Sequence, residues 1–327
     1  MSVRADGGIG PKIVDHKYQL IDGSIRTLIR KVGDGSIITR FEKTPIPSKP
    51  TDVVCPHFLE LKWATGCPFD CAWCYLKGTL RFRPQKAKPY IKRYNRIEQH
   101  VQSFLENADG YKEVLNTGEL ADSLMWERNG NPFSKFILSL FENQENHKVL
   151  FVTKSKNIEH LLEGMYQNNA IISFSLNPNA VAERFEKGAP IVADRIEAAR
   201  KLAQAGYEVR IRIDPMVPVV DCKDLYNDLV DNIFKKFIPS RITLGSLRGL
   251  QSTINNTNDK EWVKYLSERS NWGRKVAFDT RYAMYLDVID YLRTQYDYTD
   301  VALCKETVAI WDKLGMDYRH IKCNCVL

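Results

Sequence analysis

The chain has 327 residues, of which 44% are hydrophobic and 27% are charged, proportions that are ordinary for a globular protein. No apolar run approaches the roughly 20 residues of a membrane-spanning helix, and residues 1–12 lack the hydrophobic segment of a secretory signal, so we expect a cytoplasmic protein with no membrane partner. Forty-seven Lys and Arg against 40 Asp and Glu give a net charge of +7, which is compatible with a polyanionic or phosphorylated partner and equally with a plain basic surface.

The first 54 residues are punctuated by Gly, Lys and Pro and show no sustained periodicity. They predict an N-terminal extension that wraps the main domain, with a hairpin around Asp34-Gly35. Short apolar runs then alternate with helical patterns. The runs predict strands at 58–62, 113–116, 149–153, 170–176, 209–214 and 242–244. The helical patterns are clearest at 96–107, 132–142, 157–167 and 191–205, and the last of them ends at Gly206, a typical C-cap.

Strands that are separated by helices pair in parallel through right-handed crossovers. The sequence therefore predicts an α/β fold, a partial (β/α)6 TIM-like barrel over residues 55–250. In such barrels the functional groups lie at the carboxyl ends of the strands. Residues 251–327 are predicted to form a mostly helical C-terminal region that closes the mouth of the barrel as a lid.

Three cysteines, Cys67, Cys71 and Cys74, follow the first predicted strand with the spacing C-x3-C-x2-C. Eight cysteines in a cytoplasmic chain favour metal or redox chemistry over disulfide bonds. Three thiolates can hold three corners of a [4Fe–4S] cluster and leave the fourth iron open, here for the amino and carboxylate groups of S-adenosylmethionine. Zinc sites more often use paired C-x2-C units, and ferredoxins add a fourth nearby cysteine. A structural zinc site, or buried thiols without a ligand, are the alternatives.

Two aromatic residues flank the third cysteine. Trp73 stands just before it, where its ring can pack against an adenine, and Tyr75 stands just after it. As a core aromatic, Trp73 needs no such role. The spacing, these aromatics and the preceding strand together resemble the radical SAM superfamily.

Polar residues at the ends of the next two predicted strands are candidate cofactor ligands. Gly118 and Glu119 follow the second strand, where a carboxylate can accept hydrogen bonds from an ammonium group and a glycine allows close approach of the backbone. Lys154 follows the third strand and can pair with a carboxylate. An ordinary turn and an exposed lysine are the simpler interpretations.

Two further strands carry polar residues inside apolar runs. Ser175 and Asn177 alternate on the fourth strand, so both are expected on one side of the sheet, where cofactor hydroxyls or its carboxylate can satisfy them. Arg212 lies within the fifth strand near Asp214. It is either a cofactor contact or half of a structural ion pair.

A closer resemblance, to the spore photoproduct lyase family, extends over about residues 55–290. It rests on short matches in order: Cys74-Tyr-Leu, Lys88-Pro-Tyr-Ile91, Phe151-Val-Thr-Lys154, His160-Leu-Leu162, Phe174-Ser-Leu-Asn177, Arg184-Phe-Glu-Lys-Gly188, Arg195-Ile-Glu-Ala-Ala199, Ala205-Gly-Tyr207 and Trp272-Gly-Arg274. The resemblance implies a partial barrel, a [4Fe–4S] cluster, and reductive cleavage of S-adenosylmethionine to a 5′-deoxyadenosyl radical. It also implies that Tyr75, Lys154, Ser175 and Asn177 lie near that cofactor.

The chain departs from this family at two positions. The family repairs a thymine dimer in DNA through a hydrogen-atom relay from a cysteine on the second strand and a tyrosine in the cluster loop. Here residues 115–119 read Leu-Asn-Thr-Gly-Glu, and Trp73 occupies the tyrosine position. We therefore expect a divergent radical SAM enzyme that acts on a nucleotide-, nucleoside- or DNA-type substrate, with a reductant of the flavodoxin or ferredoxin type.

Three alternatives remain open at this point. The first is photoproduct-type DNA repair with a different hydrogen donor. The second is sulfur transfer to, or rearrangement of, a small metabolite with the help of a second cluster. The third is a non-catalytic Fe–S or zinc protein that binds nucleic acid through its basic surface, although the basic residues are spread rather than striped.

Three cysteines near the C-terminal end, Cys304, Cys323 and Cys325, lie outside the family motifs. They can carry a second Fe–S cluster, for which Cys55 is a candidate fourth ligand. Alternatively, Cys323 and Cys325 form a redox thiol pair that substitutes for the missing hydrogen donor. The simplest interpretation is unliganded thiols on a frayed tail, and Cys222 is interpreted as structural.

Three lid residues, Arg248, Trp272 and Arg274, are candidates for anchoring an anionic or base-bearing substrate. As exposed residues of a lid they need have no role. The sequence assigns no catalytic residue.

Overall fold

The computed structural model describes residues 10–108, 110 and 112–327, so the first nine residues of the predicted extension lie outside the described part. Within these residues ten strands form one sheet. In chain order they are β1 (Ile13–Gln19), β2 (Ile25–Val32), β3 (Ile38–Arg40), β4 (Leu59–Leu61), β5 (Val114–Asn116), β6 (Lys148–Thr153), β7 (Ala170–Ser175), β8 (Glu208–Met216), β9 (Arg241–Ser246) and β10 (Val301–Leu303). No helix in the described ranges is long and apolar enough to cross a membrane.

The order of the strands in the sheet is the same as their order in the chain. The pairs from β4 to β10 are all parallel, which gives seven parallel strands in the described part of the chain. The predicted α/β fold is confirmed, and all six predicted strands are present. The seventh, Val301–Leu303, was missed. It lies in the region predicted to be a helical lid, and three residues are too few for a periodicity signal.

The N-terminal extension continues the sheet with three antiparallel strands. The hairpin predicted around Asp34-Gly35 connects β2 to β3, with Lys31 opposite Thr39. A second hairpin, formed by β1 and β2, was not predicted. Exposed polar and charged residues are so frequent in both strands that the alternation of apolar and polar residues is hard to recognise. The boundaries 1–54, 55–250 and 251–327 stay predictions.

Helices cover the crossovers between the parallel strands. Those of the described residues are α1 (Leu76–Thr79), α2 (Tyr94–Asn107), α3 (Phe133–Ser139), α4 (Glu159–Glu163), α5 (Asn179–Phe185), α6 (Val192–Gln204), α7 (Cys222–Phe234), α8 (Gln251–Asn256), α9 (Phe278–Tyr296) and α10 (Val308–Lys313), with 3₁₀ turns at Glu261–Tyr265 and Tyr318–His320. The helix predicted over 157–167 is short and ends before Gly164. Helix α6 ends as predicted, since Gly206 has a left-handed backbone conformation with φ +88 and the Tyr207 N–H donates to the Leu202 carbonyl at 3.0 Å.

Short strands outside the main sheet connect its loops. They are the pairs Val53–Val54 with Glu306–Thr307, Ala64–Thr65 with Tyr90–Ile91, and Asp70–Cys71 with Glu186–Lys187, and the trio Arg248–Gly249, Gly273–Lys275 and Glu268–Ser270.

Residues 323–326, which we call the tail plug, fill the barrel at the amino-terminal half of its strands. Asn324 is fully buried, and its side-chain amide donates to Ser173 Oγ of β7 at 2.8 Å and to the Ile211 carbonyl of β8 at 2.9 Å. Its side-chain oxygen accepts from Thr243 Oγ1 of β9 at 2.7 Å. Three strands therefore hold this segment, and the interpretation of a frayed tail is wrong, because its backbone and side chains find partners inside the barrel.

Candidate active site

A cavity of about 310 Å³ opens at the carboxyl ends of the parallel strands. The sequence-predicted residues on its wall are Cys71, Trp73, Cys74, Tyr75, Gly118, Glu119, Lys154, Arg212, Arg248, Trp272, Cys304, Cys323 and Cys325. Among the described residues on this wall, five are Lys or Arg and three are Asp or Glu. The fold thus brings most candidates together at the edge where parallel barrels carry their chemistry, in a positively charged space.

The cysteine loop follows β4 and is shaped by backbone contacts. Gly66 has φ +90, and a Cβ there would lie 2.3 Å from the Lys88 carbonyl oxygen, so only glycine fits. The Cys67 N–H donates to the Ala87 carbonyl at 2.9 Å. Cys71 pairs with Glu186 in a short antiparallel ladder. These contacts fix the loop independently of any ligand.

Burial controls the electrostatics of the three loop thiols. It raises the pKa of Cys71 to about 12, a shift that Lys154 partly opposes. Burial also raises the pKa values of Cys67 and Cys74. Metal binding must therefore displace protons from neutral thiols.

The three cysteines of the loop supply sulfur donors, the ligand type that iron–sulfur clusters use, and the one carboxylate of the loop, Asp70, pairs with Lys77 at 2.7 Å. Cys71 and Cys74 line the cavity, whereas Cys67 is not among the described residues that line it. Within the described ranges, no three Cys, His, Asp or Glu side chains are gathered closely enough to hold a single metal ion. A [4Fe–4S] cluster binds each thiolate through a different iron, so its ligands stand farther apart than those of one ion.

Lys154, after β6, belongs to a buried ionic group beside the cysteine loop. Its Nζ lies 3.6 Å from Glu186 Oε1, and Arg195 donates to the other Glu186 oxygen at 2.6 Å. Asn177 donates to Glu186 Oε1 at 3.0 Å and accepts from the Tyr226 hydroxyl at 3.3 Å. The amide of Asn177 is therefore occupied within the protein.

Ser175 and Asn177 are both buried, and neither is among the described residues that line the cavity. Their predicted contact with S-adenosylmethionine stays a prediction. The hydrogen-bond partner of the buried Asn177 side chain is Glu186. The sequence did not predict this pair, because helix α5 separates the two residues along the chain.

Gly118 and Glu119 follow β5 at the cavity. The Gly118 N–H donates to Asn116 Oδ1 at 2.8 Å, and Asn116 Nδ2 donates to Glu119 Oε1 at 3.4 Å. A Cβ at Gly118 would lie 2.5 Å from the Cβ of Val152 on the neighbouring strand. The glycine is therefore needed for packing between strands as well as for access to the cavity.

We expect Gly118→Ala to lower the free energy of unfolding by about 1–3 kcal/mol, because the added methyl group overpacks the contact with Val152. Urea unfolding of both proteins measures the change. Gly130→Ala is the matched control, since a Cβ at Gly130 would meet no atom within 4 Å. Equal effects at the two positions would contradict the packing argument.

Asp214 pairs mainly with Arg248. The guanidinium nitrogens of Arg248 donate to its two oxygens at 2.8 and 2.9 Å, whereas Arg212 lies 3.9 Å away. Although burial raises it, the pKa of Asp214 is held well below its usual value by Arg248. Arg212 is thus only a loose partner of Asp214, and its Nη2 instead donates to Cys325 Sγ at 3.0 Å.

An aromatic pair with a lysine forms another part of the wall. Lys305 Nζ lies 4.7 Å from the ring centre of Phe41 and 4.6 Å from that of Trp272. Lys305 and Phe41 were missed by the sequence analysis, and the available signal for Lys305 was its position two residues after the strand Val301–Leu303. Arg274 donates to the Leu266 carbonyl at 2.7 Å and lies outside the described residues that line the cavity.

Four thiols from distant segments meet in this cavity. Cys55 follows the short strand Val53–Val54, Cys304 follows β10, and Cys323 and Cys325 belong to the tail plug. Each is at most partly exposed. Cys222 lies at the start of α7 and is not among the described residues that line the cavity, and its structural role stays a prediction.

Sequence comparisons relate this chain to known proteins. A sequence model of the spore photoproduct lyase family matches residues 49–246. The spore photoproduct lyase of Bacillus subtilis (strain 168) is 28% identical over 172 residues, which are 48% of this chain and 45% of the relative. That of Clostridium acetobutylicum is 28% identical over 236 residues, 66% of this chain and 67% of the relative. The match thus spans about half the length of the Bacillus protein.

Solved structures show the same fold. A spore photoproduct lyase complexed with dinucleoside spore photoproduct has a TM-score of 0.64 at 18% identity over 75% of both chains. A double mutant of such a lyase with bound AdoMet and dinucleoside spore photoproduct has a TM-score of 0.62 at 19% identity, over 76% of this chain and 75% of that one. At this level of identity the likeness concerns the fold alone.

Proposed function

Because this chain belongs to the spore photoproduct lyase family of radical SAM enzymes, we propose that it cleaves S-adenosylmethionine at a [4Fe–4S] cluster and abstracts hydrogen from a nucleotide-, nucleoside- or DNA-type substrate. The observation that carries the proposal is the position of the cysteine loop. It follows the first parallel strand and presents Cys71 and Cys74 to a cationic cavity at the carboxyl ends of the sheet.

Cys67, Cys71 and Cys74 would hold the cluster, and their all-sulfur chemistry fits it. When bound, the cluster supplies the electron for reductive cleavage of S-adenosylmethionine into methionine and a 5′-deoxyadenosyl radical. An external reductant of the flavodoxin or ferredoxin type would deliver that electron. The task of the protein is to position the reactants and to exclude water.

Side chains on the cavity wall can bind S-adenosylmethionine. The Glu119 carboxylate would accept hydrogen bonds from its ammonium group, and the cations of Lys154 and Arg212 would attract its carboxylate. The face of Trp73 and the ring of Tyr75 are available to the adenine. Because Lys154 is already near Glu186, it would be shared between the two carboxylates.

The rest of the cavity wall could bind a nucleobase that carries a phosphate group. Phe41 and Trp272 offer aromatic faces for stacking, and Lys43 and Lys305 offer positive charge. A nucleotide unit would reach this wall from a nucleoside, a nucleotide or a flipped position in DNA. The relatives' names and the dinucleoside in the solved complexes support a substrate of this class.

A second candidate function is photoproduct-type DNA repair with a donor thiol from elsewhere in the chain. One observation favours it. Cys325 Sγ lies 3.7 Å from Asn116 Nδ2. Asn116 is the last residue of β5, and the cysteine of the family is missing from the segment 115–119 at this end of the strand. The thiol of Cys325, with no metal bound to it, would then take the place of that cysteine.

The test uses the full chain, reconstituted anaerobically with iron and sulfide and reduced with dithionite. We expect 5′-deoxyadenosine and methionine from S-adenosylmethionine, measured by liquid chromatography, and no product when dithionite is omitted. Adding dinucleoside spore photoproduct tests the second candidate through release of the repaired dinucleotide. Reconstituted protein that binds iron and sulfide but forms no 5′-deoxyadenosine would overturn the proposed function.

A further inference from the structure

We propose that Cys55, Cys304, Cys323 and Cys325 hold a second iron–sulfur cluster inside the barrel, separate from the cysteine loop. The presence of this cluster does not depend on the proposed function, because four thiols can bind iron and sulfide whether or not the protein cleaves S-adenosylmethionine. It would share the cavity with the first cluster.

The first argument is convergence. The four cysteines are up to 270 positions apart in the sequence, from 55 to 325, yet all four line one cavity. Buried free thiols are common singly as small apolar residues. Four from three separate segments around one internal space are what a thiolate-ligated cluster needs.

The second argument is rigidity of the ligand segments. The carbonyl of Cys323 accepts from Arg241 at 2.8 Å, and that of Asn324 accepts from Arg210 at 2.9 Å. The bonds of the Asn324 side chain fix the residue between the two tail cysteines. Cys304 is held by its N–H, which donates to the Leu244 carbonyl of β9 at 2.6 Å. The sulfurs are thus carried by backbone that is already ordered.

The third argument is charge. Arg212 Nη2 donates to Cys325 Sγ at 3.0 Å, and Arg248 Nη2 points to Cys304 Sγ at 3.6 Å. Lys305 follows Cys304 and lines the same cavity. These cations would balance the negative charge of a thiolate-ligated cluster, and hydrogen bonds to ligand sulfur are a feature of iron–sulfur sites.

A redox pair of Cys323 and Cys325 would explain only two of the four cysteines in the cavity. It would use the two tail thiols and give no role to Cys55 and Cys304, although both face the same space. A full set of four cysteines is the usual ligation of both [2Fe–2S] and [4Fe–4S] clusters. The position beside the proposed S-adenosylmethionine site would let such a cluster pass electrons.

The experiment counts iron and sulfide in anaerobically reconstituted proteins. Wild type should bind more iron than one cubane holds, which is about four per chain. The triple variant Cys67→Ala/Cys71→Ala/Cys74→Ala should keep iron and sulfide with visible charge-transfer absorption. The variant Cys304→Ala/Cys323→Ala/Cys325→Ala should lose about two or about four irons relative to wild type. Cys222→Ala is the control and should retain the wild-type count.

The wild-type count needs no variant to fold, and circular dichroism checks the folding of the others. A wild type with no more than about four irons, together with a loop variant that binds zinc alone or no metal, would overturn the second cluster. A different outcome is that Cys67→Ala/Cys71→Ala/Cys74→Ala keeps all of the iron and Cys304→Ala/Cys323→Ala/Cys325→Ala keeps none. The proposed function then fails and the second cluster stands.

Discussion

Replacing Cys74 by alanine is expected to reduce formation of 5′-deoxyadenosine by more than about a hundredfold. Mutation of residues that only support the ligands of a metal site already lowers metal affinity or activity by about 10–100-fold. Cys74 is itself a proposed ligand. The side chain opens directly onto the cavity, and its backbone N–H is fixed by the Cys71 carbonyl at 3.2 Å. Alanine keeps this backbone contact and removes only the sulfur. Liquid chromatography of the product measures the loss.

Cys222→Ala is the matched control for this variant. Cys222 is also a free cysteine, but it lies at the start of α7, away from the cavity. The control should retain the iron content and activity of wild type. Wild-type activity in Cys74→Ala would remove Cys74 from the ligand set and contradict the interpretation of the C-x3-C-x2-C spacing.

Glu186→Gln is expected to lower the free energy of unfolding by about 3–5 kcal/mol, the usual cost of leaving buried charge without its partner. The side chain of Glu186 is fully buried against Arg195 at 2.6 Å and Lys154 at 3.6 Å. Glutamine keeps the shape but leaves two buried cations uncompensated. The backbone pairing of residue 186 with Cys71 is unchanged by this substitution, so the effect measured is that of the lost charge.

The pH dependence separates this electrostatic effect from a packing effect. Although burial raises it, the pKa of Glu186 lies below its usual value because of Lys154 and Arg195. The stabilisation by the carboxylate is therefore complete above the unfolded-state pKa of about 4.3 and is lost as the pH falls through the lower folded-state pKa. Urea unfolding at several pH values should show the gap between wild type and variant narrowing below about pH 4.

Glu197→Gln provides the comparison, because Glu197 forms an exposed ion pair with Arg200 on helix α6. Such pairs contribute at most about 1 kcal/mol. If Glu186→Gln and Glu197→Gln lower the free energy of unfolding by similar amounts, the buried ion pairs of Glu186 stabilise the fold no more than an exposed pair does, and the prediction is wrong.

Much of the barrel could be predicted from the sequence, because buried parallel strands are continuous apolar runs. The run at 170–176 is an example, since every residue of Ala170–Ser175 is buried. The strand Val301–Leu303 could not be found in this way, because it is short and its place is set by pairing with β9. The family resemblance inferred from the motifs is confirmed by the match over residues 49–246.

The candidate site was predicted where spacing or strand ends carry information. The cysteine loop and the polar residues Glu119 and Lys154 are examples, and all of these except Cys67 line the cavity. Contacts that depend on distant segments were beyond the sequence. The binding of Asn177 to Glu186 and the closeness of Cys325 to Arg212 arise only when the chain has folded. The roles of the individual site residues stay predictions.

The agreement between strand order and chain order has a consequence for biosynthesis. As the polypeptide leaves the ribosome, each new strand can attach to the edge left by its predecessor, so the sheet grows in one direction. The cysteine loop gains its supporting ladder once residue 187 has been made. The four deeper thiols meet only when residues 323–325 dock, and iron delivered to them must therefore arrive after translation has passed that point.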